Sequence, residues 1–150
     1  MAPPIKAPKG FTFGADPELF VIDTEGRYVS AAGLIPGTKE EPYKVKGGAV
    51  QVDGMAAEFN IDPATSYEEF SQNIDVVLGQ LKRMLPRGYA LSCIPSVTFD
   101  KDVFDAAPDE AKILGCTPDY NAWTAGLNDV PDASKTPTLR CAGGHLHIGW

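Results

Sequence analysis

The chain has 150 residues, of which 43% are hydrophobic and 22% are charged, and this composition is typical of one globular domain with a hydrophobic core. Its net charge of −7 argues against a nucleic-acid partner, because binding to a phosphate backbone needs a basic surface. No stretch resembles a membrane span or an N-terminal signal segment, so we expect no membrane partner and a cytoplasmic location.

The first third of the sequence predicts a leader and two strands. Residues 1–10 contain several prolines and lysines, which predict a flexible leader ahead of a single domain over 11–150. Apolar residues predict strands at 18–22 and 27–30, separated by the turn sequence at 23–26.

A loop, a hairpin and a helix are predicted next. Glycine, proline and mixed charges predict a loop over 31–48, and a hairpin is expected over 49–61 with its turn at Asp53-Gly54. Ser66 and Glu69 form a capping-box sequence that predicts the start of a helix. Apolar residues at helical spacing mark the core face of this helix: Phe70, Ile74, Val77, Leu78, Leu81 and Leu85. Pro86 and Gly88 predict the end of the helix.

The second half of the sequence gives weaker signals. A strand over 89–99 is interrupted by Pro95, a short helix is expected at 109–114, and strand character returns over 139–150. The intervening residues are turn-rich at 115–123 and predict a loop over 126–137. Three widely spaced cysteines indicate neither a disulfide framework nor a metal knuckle, so we expect buried thiols at Cys93, Cys116 and Cys141.

The strand ending at Trp150 carries the only two histidines of the chain, His145 and His147. Side chains two residues apart share one face of a strand, so both imidazoles should point one way. The alternating Leu146, Ile148 and Trp150 should then point into a core.

Three separate strands each carry polar side chains two residues apart, beside strongly apolar neighbours. Crowded carboxylates repel one another, and burial disfavours their charge further, so a divalent ion is the natural partner of such a face. Carboxylate oxygens favour Mg²⁺, and adjacent imidazoles also permit Mn²⁺ or Zn²⁺. The pairs are Asp16 with Glu18, Glu58 with Asn60, and His145 with His147, and Asp53 lies across a turn from Glu58.

Four motifs follow one another along the chain. They are Gly14-Ala15-Asp16-Pro17-Glu18-Leu19-Phe20, then Val52-Asp53-Gly54 with Ala57-Glu58-Phe59-Asn60, then residues 115–123, and finally Gly143-Gly144-His145-Leu146-His147-Ile148-Gly149-Trp150. In this order they resemble the phage-encoded carboxylate–amine ligases of type 2, within the glutamine synthetase and glutamate–cysteine ligase superfamily, and the resemblance covers residues 14–150.

This resemblance implies an α+β fold, in which an antiparallel sheet curves around the active site and helices pack on its outer face. It implies ATP-dependent amide formation, in which a small-molecule or peptide carboxylate is phosphorylated and an amine then displaces phosphate. It also implies Mg²⁺ or Mn²⁺ bound by acidic residues, and the host cytoplasm as the location.

The resemblance also assigns roles to individual residues. Metal ligands are expected at Asp16, Glu18, Asp53, Glu58 and His145. Glu18, Glu58 and His145 are the expected catalytic residues.

ATP contacts are expected from His145, His147 and Arg140. Ligases of this superfamily continue past the histidine strand, so we expect an incomplete ligase half. It is then a fragment, a chain whose sheet is completed by a second copy or another chain, or a degenerate relative with a different function.

Two other functions fit the sequence. A non-catalytic phage structural or assembly protein could retain the same fold. A zinc protein could use His145, His147 and Cys141, but Cys141 would lie roughly 13 Å from His145 along a straight strand.

Overall fold

The computed structural model of the protein describes residues 10–114, 120–129 and 134–150. These residues form an α+β fold built on a curled antiparallel sheet with the shape of a half-barrel, which confirms the expected fold class. The strands are β1 (Thr12–Ala15), β2 (Glu18–Ile22), β3 (Tyr28–Val29), β4 (Tyr43–Val45), β5 (Gly48–Asp53), β6 (Ala56–Ile61), β7 (Ala90–Ser92), β8 (Ser96–Thr98), β9 (Leu139–Cys141) and β10 (Leu146–Gly149). The helices are α1 (Tyr67–Met84), α2 (Lys101–Ala106) and α3 (Asp109–Lys112).

The main sheet has the strand order β3-β2-β6-β5-β4, and β7 also pairs with β2. Its longest ladder joins β5 and β6, from Gly48 opposite Ile61 to Asp53 opposite Ala56. The turn of this hairpin uses Gly54 at φ 55°, a conformation that glycine adopts without steric cost. The predicted hairpin is therefore confirmed, with its turn at the expected place.

Alternation along the strands gives the sheet two different faces. One face is apolar, carries Val21, Val50 and Phe59, and packs against α1 through Val77 and Leu81. A fully buried leucine or valine stabilises the fold by about 1.5–3 kcal/mol relative to an exposed one. The hydrophobic effect therefore fixes which face of the sheet is covered, and the polar side chains lie on the other face.

The helix α1 begins and ends near the residues that the sequence indicates. The Ser66 hydroxyl accepts a hydrogen bond from the Glu69 amide at 3.2 Å. The Glu69 carboxylate accepts the amide of Thr65 at 2.7 Å, so the returning bond of the cap goes to Thr65 and not to Ser66. The helix ends at Met84, just before Pro86.

A second apolar cluster covers one end of the polar face. It contains Phe20, Met55, Val97 and Phe99, and the rings of Phe20 and Phe99 meet edge to face at 5.7 Å between centroids. Because Phe20 lies two residues after Glu18 on β2, this cluster begins where the acidic residues end.

The strands β1 and β10 form a separate antiparallel ribbon beside the main sheet, with Gly14 opposite His147. Phe13 and Ala64 exchange two backbone hydrogen bonds of 2.8 Å, which join the ribbon to the segment after β6. Asp16 and Pro17 connect β1 of this ribbon to β2 of the main sheet.

Several local expectations differ from the structure. The predicted loop over 31–48 contains β4, which pairs with β5, and the predicted strand over 89–99 is split into β7 and β8 in different sheets. The strand character over 139–150 is likewise divided between β9 and β10. The 109–114 helix is confirmed as α3. The expected leader over 1–9, and parts of the turn-rich and loop segments at 115–119 and 130–133, lie outside the described residues.

Within the described ranges, no helix is both long enough and apolar enough to cross a bilayer.

Candidate functional site

Three carboxylates meet on the concave polar face. Glu18 on β2 lies directly opposite Glu58 on β6, and Glu58 lies opposite Gln51 on β5. Asp53 is two residues after Gln51, so its side chain shares the same face. One oxygen from each of Glu18, Asp53 and Glu58 lies within 4.8 Å of the others. We call these three residues the carboxylate cluster.

Glu58 is the most buried member of the carboxylate cluster, with 9% of its surface exposed. Gln51 donates a hydrogen bond of 2.7 Å to its Oε2 atom. Burial raises the pKa of Glu58 above its ordinary value; the nearby charges of Asp53, Glu18 and Asp16 raise it further, whereas the Gln51 bond lowers it. Glu58 is therefore held at an electrostatic cost that a bound cation would relieve.

Asp53 has a basic partner. The Lys39 Nζ atom lies 3.2 Å from Asp53 Oδ2. This hydrogen bond and the charge of Asp53 raise the pKa of Lys39, and the charges of Glu58 and Glu18 act in the same direction. The Lys39 ammonium thus interacts with every member of the carboxylate cluster.

Asp16 joins the two histidines to one another. Its Oδ1 atom accepts the backbone amide of His145 at 2.6 Å and lies 3.3 Å from the His145 ring nitrogen Nδ1. Its Oδ2 atom lies 3.0 Å from His147 Nε2. Partial burial opposes the charge of Asp16, but the hydrogen bonds with His147 and His145 outweigh it and lower its pKa. The prediction that both imidazoles point one way is confirmed.

Glu18 links the ribbon to the carboxylate cluster. Its Oε2 atom accepts the backbone amide of Gly143 at 2.8 Å, and its own backbone amide donates to the Gly143 carbonyl at 2.9 Å. These two bonds fix the start of the histidine segment against β2. The carboxylate cluster and the Asp16–histidine group are consequently parts of one continuous polar surface.

Two grooves border this surface. The first, of about 550 Å³, lies between the ribbon and the sheet and is lined by Asp16, Glu58, Asn60 and His147 among others. The second, of about 690 Å³, lies between the 32–40 loop and α3; Lys39 and Asp53 are at its polar side. A ligand in either groove would reach a member of the carboxylate cluster.

The carboxylate cluster has the donor set of a hard divalent cation. Mg²⁺ binds oxygen ligands at about 2.1 Å, so oxygens on opposite sides of the ion are about 4.2 Å apart. The observed limit of 4.8 Å between oxygens of Glu18, Asp53 and Glu58 needs only small side-chain movements to reach that spacing. The three residues therefore fit Mg²⁺ or Mn²⁺.

The expected metal ligands fall into two groups. Glu18, Asp53 and Glu58 form the carboxylate cluster, whereas Asp16 and His145 lie beside it and bond to each other. Among the described residues, no set of three ligand atoms that includes a histidine or Cys141 is gathered within the same spacing, so the geometry gives no support to a zinc site there.

Arg140, an expected ATP contact, has neighbours of a different kind. It is 7% exposed, its guanidinium stacks 4.6 Å from the Phe104 ring, and it donates to the carbonyls of Pro137, Leu139 and Lys112. Its contacts hold β9 against the second apolar cluster. None of these contacts joins it to the carboxylate cluster, and the expected contact of Arg140 with ATP stays a prediction.

The expectation that the apolar side of β10 is buried is also wrong. Leu146 is 77% exposed, Ile148 57% and Trp150 93%. The physical reason is the position of α1, whose main contacts with strands, among the described residues, are with β5 and β6 and not with the ribbon. Cys93 and Cys141 are likewise exposed and not buried as expected, and Cys116 lies outside the described residues.

Two residues of the site were not identified from the sequence. Gln51 could have been found, because it lies two residues before Asp53 on a predicted strand and must share its face. Lys39 lies in a loop, where no periodicity indicates the direction of a side chain.

Comparison of the chain with protein-family models, with curated proteins and with solved structures finds no match.

Proposed function

We propose that this chain is a carboxylate–amine ligase-like domain that binds ATP with Mg²⁺ or Mn²⁺ and forms amide bonds through an acyl-phosphate. The observation that carries the proposal is the carboxylate cluster of Glu18, Asp53 and Glu58 on the concave face of a curled antiparallel sheet. The four motifs that resemble the ligase family include all three residues.

Glu18, Asp53 and Glu58 are the residues that would hold a divalent ion. Such an ion supplies charge neutralisation for phosphoryl groups, and phosphoryl transfer depends mainly on positioning and on that neutralisation. Adjacent sheet strands carry all three carboxylates, so little reorganisation is needed at the moment of reaction. Gln51 orients the Glu58 carboxylate by its 2.7 Å hydrogen bond.

The two grooves support a reaction with more than one substrate. The first groove reaches the carboxylate cluster beside Glu58 and His147, and the second reaches it beside Asp53 and Lys39. A nucleotide and a carboxylate substrate can therefore approach the same group of charges from different sides. We assign the first groove to ATP, because its lining includes His147, an expected ATP contact, and Asp16, an expected metal ligand.

The experiment has two parts. Isothermal calorimetry with Mg²⁺ and ATP tests binding, and ADP release with hydroxylamine as the amine tests turnover on a panel of carboxylates. Glu58→Gln should abolish metal-dependent nucleotide binding while Glu41→Gln, which neutralises an exposed carboxylate in a loop, should retain it. Absence of metal-dependent ATP binding, both for the chain alone and with a partner chain, would refute the proposal.

A second function is favoured by a different observation. The outward side of β10 exposes Leu146, Ile148 and Trp150 together, and contiguous exposed apolar side chains mark interaction surfaces. This supports a non-catalytic assembly protein that retains the fold, or a ligase domain that works with a second copy or another chain. Light scattering of the wild type and of Leu146→Ser distinguishes self-association from a monomer, and metal-independent assembly would favour the non-catalytic role.

A further inference from the structure

Lys39 forms the one ion pair that the described residues make with the carboxylate cluster. The sequence motifs give it no role. A cation at this place occupies the same Asp53 carboxylate that a divalent ion would use, and two cations cannot share one short contact without strong repulsion. The Lys39 ammonium must therefore leave Asp53 when a divalent ion binds there.

The loop backbone around Lys39 is anchored by hydrogen bonds, whereas its side chain is largely exposed and is held by its ion pair with Asp53. The Gly37 carbonyl accepts the Val52 amide at 3.1 Å, and Thr38 and Glu41 exchange two hydrogen bonds of 3.1 Å. The Lys39 side chain is 58% exposed. Its flexible four-carbon stem lets the ammonium move without any change in the loop.

The second groove offers the new position for the Lys39 ammonium. Its lining combines apolar residues, including Ile35, Val52 and Ile113, with Lys39 and three acids, Asp53, Glu40 and Glu110. With one lysine against three acids, an anion is repelled from this groove. A divalent ion that neutralises Asp53 leaves one lysine against two acids, Glu40 and Glu110, which weakens the repulsion of an anion. It also frees the Lys39 ammonium to pair directly with the carboxylate of a partly apolar ligand.

We propose that Lys39 is the internal counter-ion of the carboxylate cluster, that a divalent ion displaces it from Asp53, and that it then binds the carboxylate of a ligand with an apolar body in the second groove. The proposal rests on the metal site of the proposed function. It makes ligand binding ordered, with metal before carboxylate.

The first test measures Mn²⁺ affinity by calorimetry for the wild type, Lys39→Met and Lys82→Met. Lys82 is an exposed lysine on α1, which packs on the opposite side of the sheet, so it controls for the change in net charge. Removing the competing ammonium should tighten Mn²⁺ binding by about two- to fivefold in Lys39→Met, since exposed ion pairs contribute up to about 1 kcal/mol. Lys82→Met should leave it unchanged, and Lys39→Arg should keep the wild-type affinity.

The second test follows hexanoate binding by methyl NMR of Ile35 and Ile113. In the wild type, shifts should appear with Mg²⁺ and not in EDTA, and Lys39→Met should lose them at the same hexanoate concentration. Hexanoate binding that ignores metal or survives Lys39→Met overturns the ligand role of Lys39.

The two proposals fail in different ways. A wild type that binds no Mn²⁺ refutes the metal site itself. A wild type that binds Mn²⁺, with equal or weaker affinity in Lys39→Met, overturns only the displacement of Lys39. Circular dichroism of each variant in EDTA establishes that the fold is intact.

Discussion

Glu58→Gln should stabilise the metal-free protein, although it removes a buried charged side chain from a hydrogen-bonded position. The glutamine is nearly isosteric, and its carbonyl oxygen can still accept the 2.7 Å bond from Gln51. What disappears is the repulsion with Glu18 and Asp53, whose oxygens lie within 4.8 Å of Glu58.

The size of the effect follows from Coulomb's law. The oxygens lie within 4.8 Å of one another, and at that upper limit two like charges repel by roughly 1 kcal/mol in water and by about 3 kcal/mol at an effective dielectric constant near 20. Lys39 offsets part of the charge of Asp53. We therefore expect the free energy of unfolding in EDTA to rise by about 1–2 kcal/mol, which for a chain of 150 residues is a shift of roughly 2–8 °C in Tm.

The size of this stability difference depends on pH. The pKa of Glu58 is raised in the fold above its ordinary value of 4.5, so the penalty is present at neutral pH and disappears as Glu58 protonates on acidification. Urea denaturation in EDTA should give a stability difference between Glu58→Gln and wild type that shrinks as the pH falls towards 4.5. Glu41→Gln, an exposed loop carboxylate, should stay within about 0.5 kcal/mol of wild type throughout.

In saturating Mn²⁺ the wild type should be more stable than Glu58→Gln, because the wild type gains binding free energy that the variant lacks. A destabilised Glu58→Gln protein in EDTA at neutral pH would contradict this reasoning, since it would mean that the ionised carboxylate is a net stabilising group without metal.

The remaining predictions concern the core and the ribbon. Leu81→Ala should lower the free energy of unfolding by about 2–5 kcal/mol in urea denaturation, since Leu81 is fully buried between α1 and the sheet. Asp16→Ala should reduce hydrogen-exchange protection of the His145 amide, which donates to the Asp16 carboxylate. Because the fold lowers the pKa of Asp16, the stability that this carboxylate contributes is full above its ordinary pKa of 3.8. That stability is lost as the pH falls through the lower pKa of the folded state. Leu146→Ser should change stability by less than about 0.5 kcal/mol, and a larger loss would place Leu146 in a core.

The sequence predicted those parts of the fold that have a long periodic signal. The stripe through Val77 and Leu81 marked the core face of α1, and the Asp53-Gly54 turn marked the β5–β6 hairpin. The strand β4 and the helix α2 have three and six residues, which is too short for a period to be read against loop composition. Their formation depends on tertiary pairing, as between β4 and β5.

The sequence likewise predicted only part of the candidate site. Alternation placed Glu58 on a polar face and set both histidines to one side, but it cannot give the distance between strands. Only the register of β2 with β6, Glu18 opposite Glu58, brings two acids together. Alternation also assigned Leu146 to a core, because an apolar side of a strand is buried only where another element covers it.

Glu18 accepts the amide of Gly143 with the same carboxylate that belongs to the carboxylate cluster. A change in the electron demand on that carboxylate must alter the strength of its bond to Gly143, and thermodynamic reciprocity requires the converse. Cation binding at the carboxylate cluster and attachment of the segment that begins at Gly143 are therefore thermodynamically coupled. A ligand that binds the β10 ribbon and alters the hydrogen bond between Gly143 and Glu18 would alter cation affinity without contacting the cation.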